Sequence, residues 1–120
     1  MPRFVILQHE TPRGYARPRH WDLMFEQGES LLTWSVEDEP QVGTSLRAEQ
    51  LPDHRRKYLD YEGPVSDDRG TVSRWDSGTY ELRTENDGDL TLTLAGERLR
   101  CEVTLSKQDD DDSHWTIVYS

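Results

Sequence analysis

Apolar residues come along this chain in short alternating runs, with the two-residue period of half-buried strands. Residues 3–8, 20–26 and 30–36 read this way, and Gln27-Gly28-Glu29 joins the last two as a hairpin turn. Residues 37–45 hold Pro40 and Gly43 and little periodicity, so they read as a loop. The one segment that suits a helical turn or two is 51–61, starting near Pro52 with Asp53 in its first turn. Strand patterns then return over 70–75, 78–83, 89–94, 98–105 and 115–119. Asp76-Ser77-Gly78, Asn86-Asp87-Gly88 and Ala95-Gly96-Glu97 read as turns between them. About eight short strands with tight connections predict a mostly-β fold, an antiparallel barrel or sandwich with one short helical segment.

Composition narrows this further. A chain of 120 residues is expected to form a single domain over 1–120, and one this size buries enough surface to fold alone. No apolar run approaches the roughly 18 residues of a membrane span. The opening Met-Pro-Arg-Phe-Val-Ile-Leu is too short for a secretory core, and Cys101 is the only cysteine. No internal disulfide or cysteine-built zinc site is therefore expected, and a cytoplasmic location is.

The net charge is -10 and the isoelectric point about 4.7, which argues against holding duplex DNA by general electrostatics. The charge is uneven, however. Residues 1–20 carry four arginines against Glu10, whereas residues 81–112 carry ten acids against four bases. The aspartate run 109–112 reads as a solvated loop.

The candidate chemistry starts from four histidines: His9, His20, His54 and His114. In a strand, His20, Asp22 and Met24 share one face, and Trp21, Leu23 and Phe25 share the other. The second face holds the core residues. The first presents an imidazole and a carboxylate roughly 7 Å apart along the backbone, a sound spacing for two ligands of one divalent metal. His9, ending the preceding strand, supplies a third, and three such ligands leave positions open for water and substrate. The plain alternative is a solvated polar face with one His–Asp hydrogen bond.

His54 and Tyr58, four residues apart, would converge on one face of a helix, where an imidazole and a phenol can hold a phosphate oxygen or move a proton. Arg55, Arg56 and Lys57 add positive charge; an ordinary basic surface with a packed tyrosine fits equally. In the loop 11–19, Arg13, Arg17 and Arg19 around Tyr15 suit phosphates and a stacked base, or simply solvent.

In order along the chain come Arg3-Phe-Val-Ile before His9, His20-Trp-Asp22 with Glu26, and Thr33-Trp-Ser-Val36. Asp53-His54 with Tyr58 and Gly63 follow, then Gly70-Thr-Val, Trp75-Asp76 and Gly78-Thr-Tyr80, and finally Leu94, Gly96, Leu99, Leu105 and Trp115. This series resembles the 3′-phosphoesterase domain of bacterial DNA ligase D, also called the DNA polymerase ligase N-terminal domain. The resemblance implies a compact β-barrel that removes a 3′-ribonucleoside and then the 3′-phosphate during non-homologous end joining, using manganese or a similar divalent metal. It implies metal ligation by His9, His20 and Asp22, and engagement of the reacting phosphate by His54 and Tyr58. The expected partners are DNA or RNA-tipped DNA 3′ ends, with a ligase or polymerase acting in trans. Where the resemblance places a catalytic arginine this chain has Met24, and where it places a lysine it has Glu37-Asp38-Glu39. Arg47 or Arg55 is the candidate substitute, and Arg13 is a further candidate for contacting the substrate phosphate.

Two other functions fit parts of the pattern. One is a non-catalytic nucleic-acid-end or nucleotide-binding module on the same fold. The other is a non-haem iron oxygenase using His20, Asp22 and the distant His54.

Overall fold

The computed structural model describes residues 2–12, 19–65, 69–108 and 113–120. Its strands are β1 (Arg3–Glu10), β2 (His20–Gln27), β3 (Ser30–Val36), β4 (Ser45–Arg55), β5 (Gly63–Pro64), β6 (Thr71–Asn86), β7 (Asp89–Gly96), β8 (Arg100–Lys107) and β9 (His114–Tyr119). All described pairings are antiparallel and run in the order β1-β2-β3-β4-β9-β8-β7-β6, with β6 returning to β1. The result is a closed eight-stranded barrel, with the two-residue β5 paired to the start of β6. No helix among the described residues is long and apolar enough to cross a membrane.

Alternation fills the inside. Phe4 and Ile6 of β1, Trp21, Leu23 and Phe25 of β2, and Trp34 and Val36 of β3 meet Leu92, Leu94, Val103, Leu105, Ile117 and Tyr119 from the opposite wall. Aromatic edges meet faces within this core: Phe25 with Tyr80 at 5.4 Å between centroids, and Trp34 with Trp115 at 5.5 Å. An eight-stranded barrel is narrow enough for side chains alone to fill it.

A second, smaller apolar layer lies on the outside. Val5, Leu7, Met24, Leu31 and Val72 are covered there by Leu59, with Tyr58, Tyr61 and Val65 packed against them. These covering residues belong to the segment between β4 and β6, which crosses the outer face of β1 and β2. Both faces of those strands are therefore buried, and His20 and Asp22 are only 3% and 4% exposed. A solvated polar face is thus excluded at these positions.

Two local expectations need correction. The segment 51–61 is not helical from Pro52: β4 continues to Arg55, and only Arg56–Leu59 form a 3-10 turn. Asp76-Ser77-Gly78 does not turn the chain either. It lies inside β6, a continuous sixteen-residue strand. The extra residue is a bulge: Ile6 pairs with Asp76 and Leu7 with Arg74, leaving Trp75 over.

The side chain of Asp76 explains the misreading. Instead of closing its own turn, the carboxylate reaches the β7–β8 connection. Oδ1 accepts from the backbone N–H groups of Ser77 at 2.8 Å, Glu97 at 2.8 Å and Arg98 at 3.1 Å. Oδ2 accepts from Leu99 at 2.9 Å. Gly96 makes the room, since a Cβ there would sit 2.4 Å from Asp76 Oδ2 and 2.8 Å from the Phe4 ring. Asp76→Ala is expected to destabilise the fold by about 3 kcal/mol, because three turn amides lose a charged acceptor. Asp76→Asn should recover part of that loss. The midpoint of urea unfolding, at unchanged slope, measures both; a shift under about 0.5 kcal/mol for Asp76→Ala would refute the assignment.

Candidate functional site

The β1–β2 register sets His9 directly opposite His20, and Asp22 stands two residues further along β2 on the same outer face. The two imidazoles lie 4.6 Å apart between centroids. His9 Nδ1 is 3.9 Å from Asp22 Oδ2, and His20 Nε2 is 3.5 Å from Asp22 Oδ1. One potential ligand atom from each of the three residues falls within 4.8 Å of the others, an arrangement that could hold a metal ion. His54 lies outside this cluster, and His9 completes it.

The electrostatics suit a cation. Burial works to raise the Asp22 carboxyl, but the adjoining imidazoles of His20 and His9 outweigh it and hold the group well below the usual carboxylate range. His9 Nε2 donates to the Arg69 carbonyl at 2.7 Å, so in the neutral ring Nδ1 keeps its lone pair on the side of Asp22. Asp22 Oδ1 has no hydrogen-bond partner of good geometry. A buried carboxylate oxygen left over beside imidazole nitrogens fits a divalent ion, and two nitrogens with one carboxylate favour a transition metal over calcium or magnesium.

His54 reaches the outer face through a second bulge. Leu31 pairs with His54 but Thr33 with Leu51, so Pro52 and Asp53 together oppose Leu32. The extra residue restores His54 to the face that carries Leu31. His54 Nδ1 donates to the Pro52 carbonyl at 2.9 Å, and its ring meets Tyr58 edge to face at 5.8 Å. Tyr58 in turn packs edge to face on Tyr61 at 5.7 Å, with Lys57 Nζ 5.2 Å from the Tyr58 centroid. The expected pair therefore forms, from a strand end and a 3-10 turn instead of one helix. By register it stands two side-chain rows from Asp22, roughly 13 Å along the strands. Met24 and Thr33 occupy the row between.

On the other side of the triad a groove of about 300 Å³ is lined by Ser35, Glu37, Asp38, Arg47, Glu49 and His114. It continues the triad's own row, because Asp22 pairs with Ser35, Ser35 with Glu49, and Glu49 with His114. Arg47 Nη2 donates to His114 Nε2 at 2.9 Å. Of the arginines proposed for phosphate, Arg47 thus lines this groove. Arg55 ends β4 opposite Ser30, on the far side of His54. Arg13 lies outside the described residues, as does the aspartate run 109–112.

The model of the DNA Ligase D 3′-phosphoesterase domain family matches residues 8–107. The chain belongs to that family. No curated protein matches it in a whole-sequence comparison.

Within this ligase D phosphoesterase fold, Met24 takes a position for which the sequence resemblance implied an arginine. It is 2% exposed and packs with Val5, Leu7, Leu31 and Leu59. A thioether there supplies packing and no hydrogen-bond donor. Ser35 and the Arg69 carbonyl adjoin the triad, and Glu49 and His114 continue its row, without having been singled out for it. The strand pairings and loop approach that bring them there link distant parts of the chain.

A site of this composition is expected to take up one equivalent of manganese or zinc and to raise the melting temperature with the logarithm of ligand excess. Asp22→Ala should weaken that binding by more than about 100-fold, beyond the 10–100-fold typical of outer-shell partners. Titration calorimetry on the metal-stripped protein decides it. Equal binding by the native chain and Asp22→Ala would place the ion elsewhere.

Proposed function

We propose that this protein is a divalent-metal-dependent phosphoesterase acting on nucleic-acid 3′ ends. It would remove a terminal 3′-ribonucleoside and then the 3′-phosphate, leaving a hydroxyl for sealing. The observation that carries this reading is the convergence of His9, His20 and Asp22 on one buried point in a fold of the ligase D phosphoesterase family.

These three residues would hold the metal, with manganese as the expected ion. When bound, the metal supplies polarisation of a phosphoryl oxygen and a water of lowered pKa. Everything else falls to the chain. Arg47, which lines the groove, would donate to a non-bridging phosphate oxygen of the substrate there. Its present acceptor, His114 Nε2, is a neutral nitrogen that an anionic oxygen readily replaces.

His54 has Nδ1 committed to the Pro52 carbonyl, which leaves Nε2 to engage a phosphate of the substrate strand, two side-chain rows from the triad. Tyr58 orients that ring and offers its hydroxyl to the phosphate. We assign to Arg55, next to His54, the phosphates further from the chain end, and to Arg13, which falls between β1 and β2 in the sequence, a further phosphate contact. The net charge of -10 is compatible with this substrate, because a chain end needs a few local cations and no extended basic surface. In cells we place the protein in the cytoplasm, repairing DNA or RNA-tipped DNA ends for a ligase or polymerase in trans.

One observation favours a second reading. Met24 is buried in apolar contacts in the row between the triad and the His54–Tyr58 pair. A protein that keeps the ion but has lost the arginine would be a non-catalytic module that binds nucleic-acid ends or nucleotides.

A single-turnover assay separates the two. A labelled primer–template ending in a 3′-ribonucleotide or 3′-phosphate is incubated with excess protein, with and without manganese. Manganese-dependent trimming is expected from the native chain, with at least about a 100-fold loss in His20→Ala and in His54→Ala. Absence of turnover with several metals, alongside retained end binding, would overturn catalysis and leave the binding module.

A further inference from the structure

Gly70 stands where the chain enters β6, with φ at +102°, a conformation that side chains disfavour. Space is the stronger constraint. A Cβ on Gly70 would lie 1.9 Å from the Glu10 carbonyl oxygen, 2.9 Å from its carbon and 3.0 Å from Thr11 Cα. All three are backbone atoms where β1 ends, so no side chain can swing aside to relieve the clash. On the other side, Val65 N–H donates to the Gly70 carbonyl at 2.8 Å and ties the incoming segment to the outgoing one.

This close approach delivers the neighbouring peptide group to His9. The Arg69 carbonyl oxygen lies 2.7 Å from His9 Nε2. A carbonyl only accepts, so Nε2 carries the hydrogen. The other nitrogen, Nδ1, lies with Asp22 Oδ2 at 3.9 Å. A histidine free to flip would present either nitrogen; here the backbone chooses.

We propose that Gly70 is a positioning residue for the His9, His20 and Asp22 site. By letting the Arg69 carbonyl reach His9 Nε2, it holds the ring in the one orientation and tautomer that present Nδ1 as the ligand. The inference rests on reading these three residues as metal ligands. It adds the part of the molecule that orients the first of them, a residue with no functional group of its own.

The test uses the full chain, labelled with ¹⁵N at histidine and stripped of metal. Long-range ¹H–¹⁵N correlation reads which ring nitrogen of each histidine is protonated. His9 in the native protein should show a protonated Nε2 and an unprotonated Nδ1. In Gly70→Ala, His9 should become a mixture of tautomers, and calorimetric manganese affinity should fall roughly 10–100-fold.

His54 is the internal control, because its Nδ1 hydrogen bond to Pro52 is local and should persist. Gly28→Ala is the second control: it has a positive φ of +61° but nothing within 4 Å of the added carbon, and should leave His9 unchanged. If Gly70→Ala does not fold, Gly70→Asn keeps the added carbon in a residue that better tolerates positive φ.

A native His9 protonated on Nδ1 overturns the proposal. So does a folded Gly70 variant with native His9 signals and native manganese affinity, and so does loss of the fold in both variants. A native protein with the expected His9 signals but no uptake of a divalent ion overturns the metal reading instead, and with it any role of Gly70 toward an ion.

Discussion

Closure of the barrel depends on one strand serving two neighbours. The first half of β6, through Thr79, pairs with β1, and its second half, from Gly78, pairs with β7. The handover requires an irregular backbone, and an irregular backbone in a buried place leaves polar groups that need partners. Asp76 supplies them, gathering the amides of the β7–β8 connection onto one carboxylate at the bulge. Gly78 and Gly96, paired across the two strands, allow the backbones to come close enough. Without this junction β1 would be an exposed edge, and His9 would have nothing behind it.

The site depends on that closure and on a second departure from a simple barrel. In most small barrels, outward residues are wetted. Here the chain between β4 and β6 lies over the outside of β1 and β2 and makes a thin apolar layer. His9, His20 and Asp22 sit at the margin of this layer, where a carboxylate is shielded from bulk water. Low dielectric strengthens attraction between that carboxylate and any cation beside it. The same layer places Met24 where a guanidinium would have to shed much of its hydration, and a thioether packs there without that cost.

Much of this was legible along the chain. The strands that end as β1, β2 and β3 could be read because their alternation is clean and their partners adjacent. Gathering of His9, His20 and Asp22 was readable for the same reason, since one antiparallel pair suffices to bring them together. The errors share a cause. Pro52-Asp53 resembles a helix start but forms a bulge opposite Leu32, and Asp76-Ser77-Gly78 resembles a turn but serves amides twenty-one to twenty-three residues away. Local propensity describes what a segment does alone, and here distant groups decide. Burial of the outer face of β1 and β2 was equally hidden, because the residues that pack on it, Tyr58 to Val65, follow more than thirty positions later.

The pairing pattern also implies an order of assembly. His9, His20 and Asp22 belong to neighbouring strands whose connection is only residues 11–19, so bringing them together costs little chain entropy. Arg69 meets His9 only once β1 has found β6, some sixty residues away, which is the slow kind of contact. The three polar side chains can therefore cluster early, while the ring of His9 still turns freely. Its final orientation is set when the barrel shuts, which makes the mature centre a product of completed folding and not of the hairpin alone.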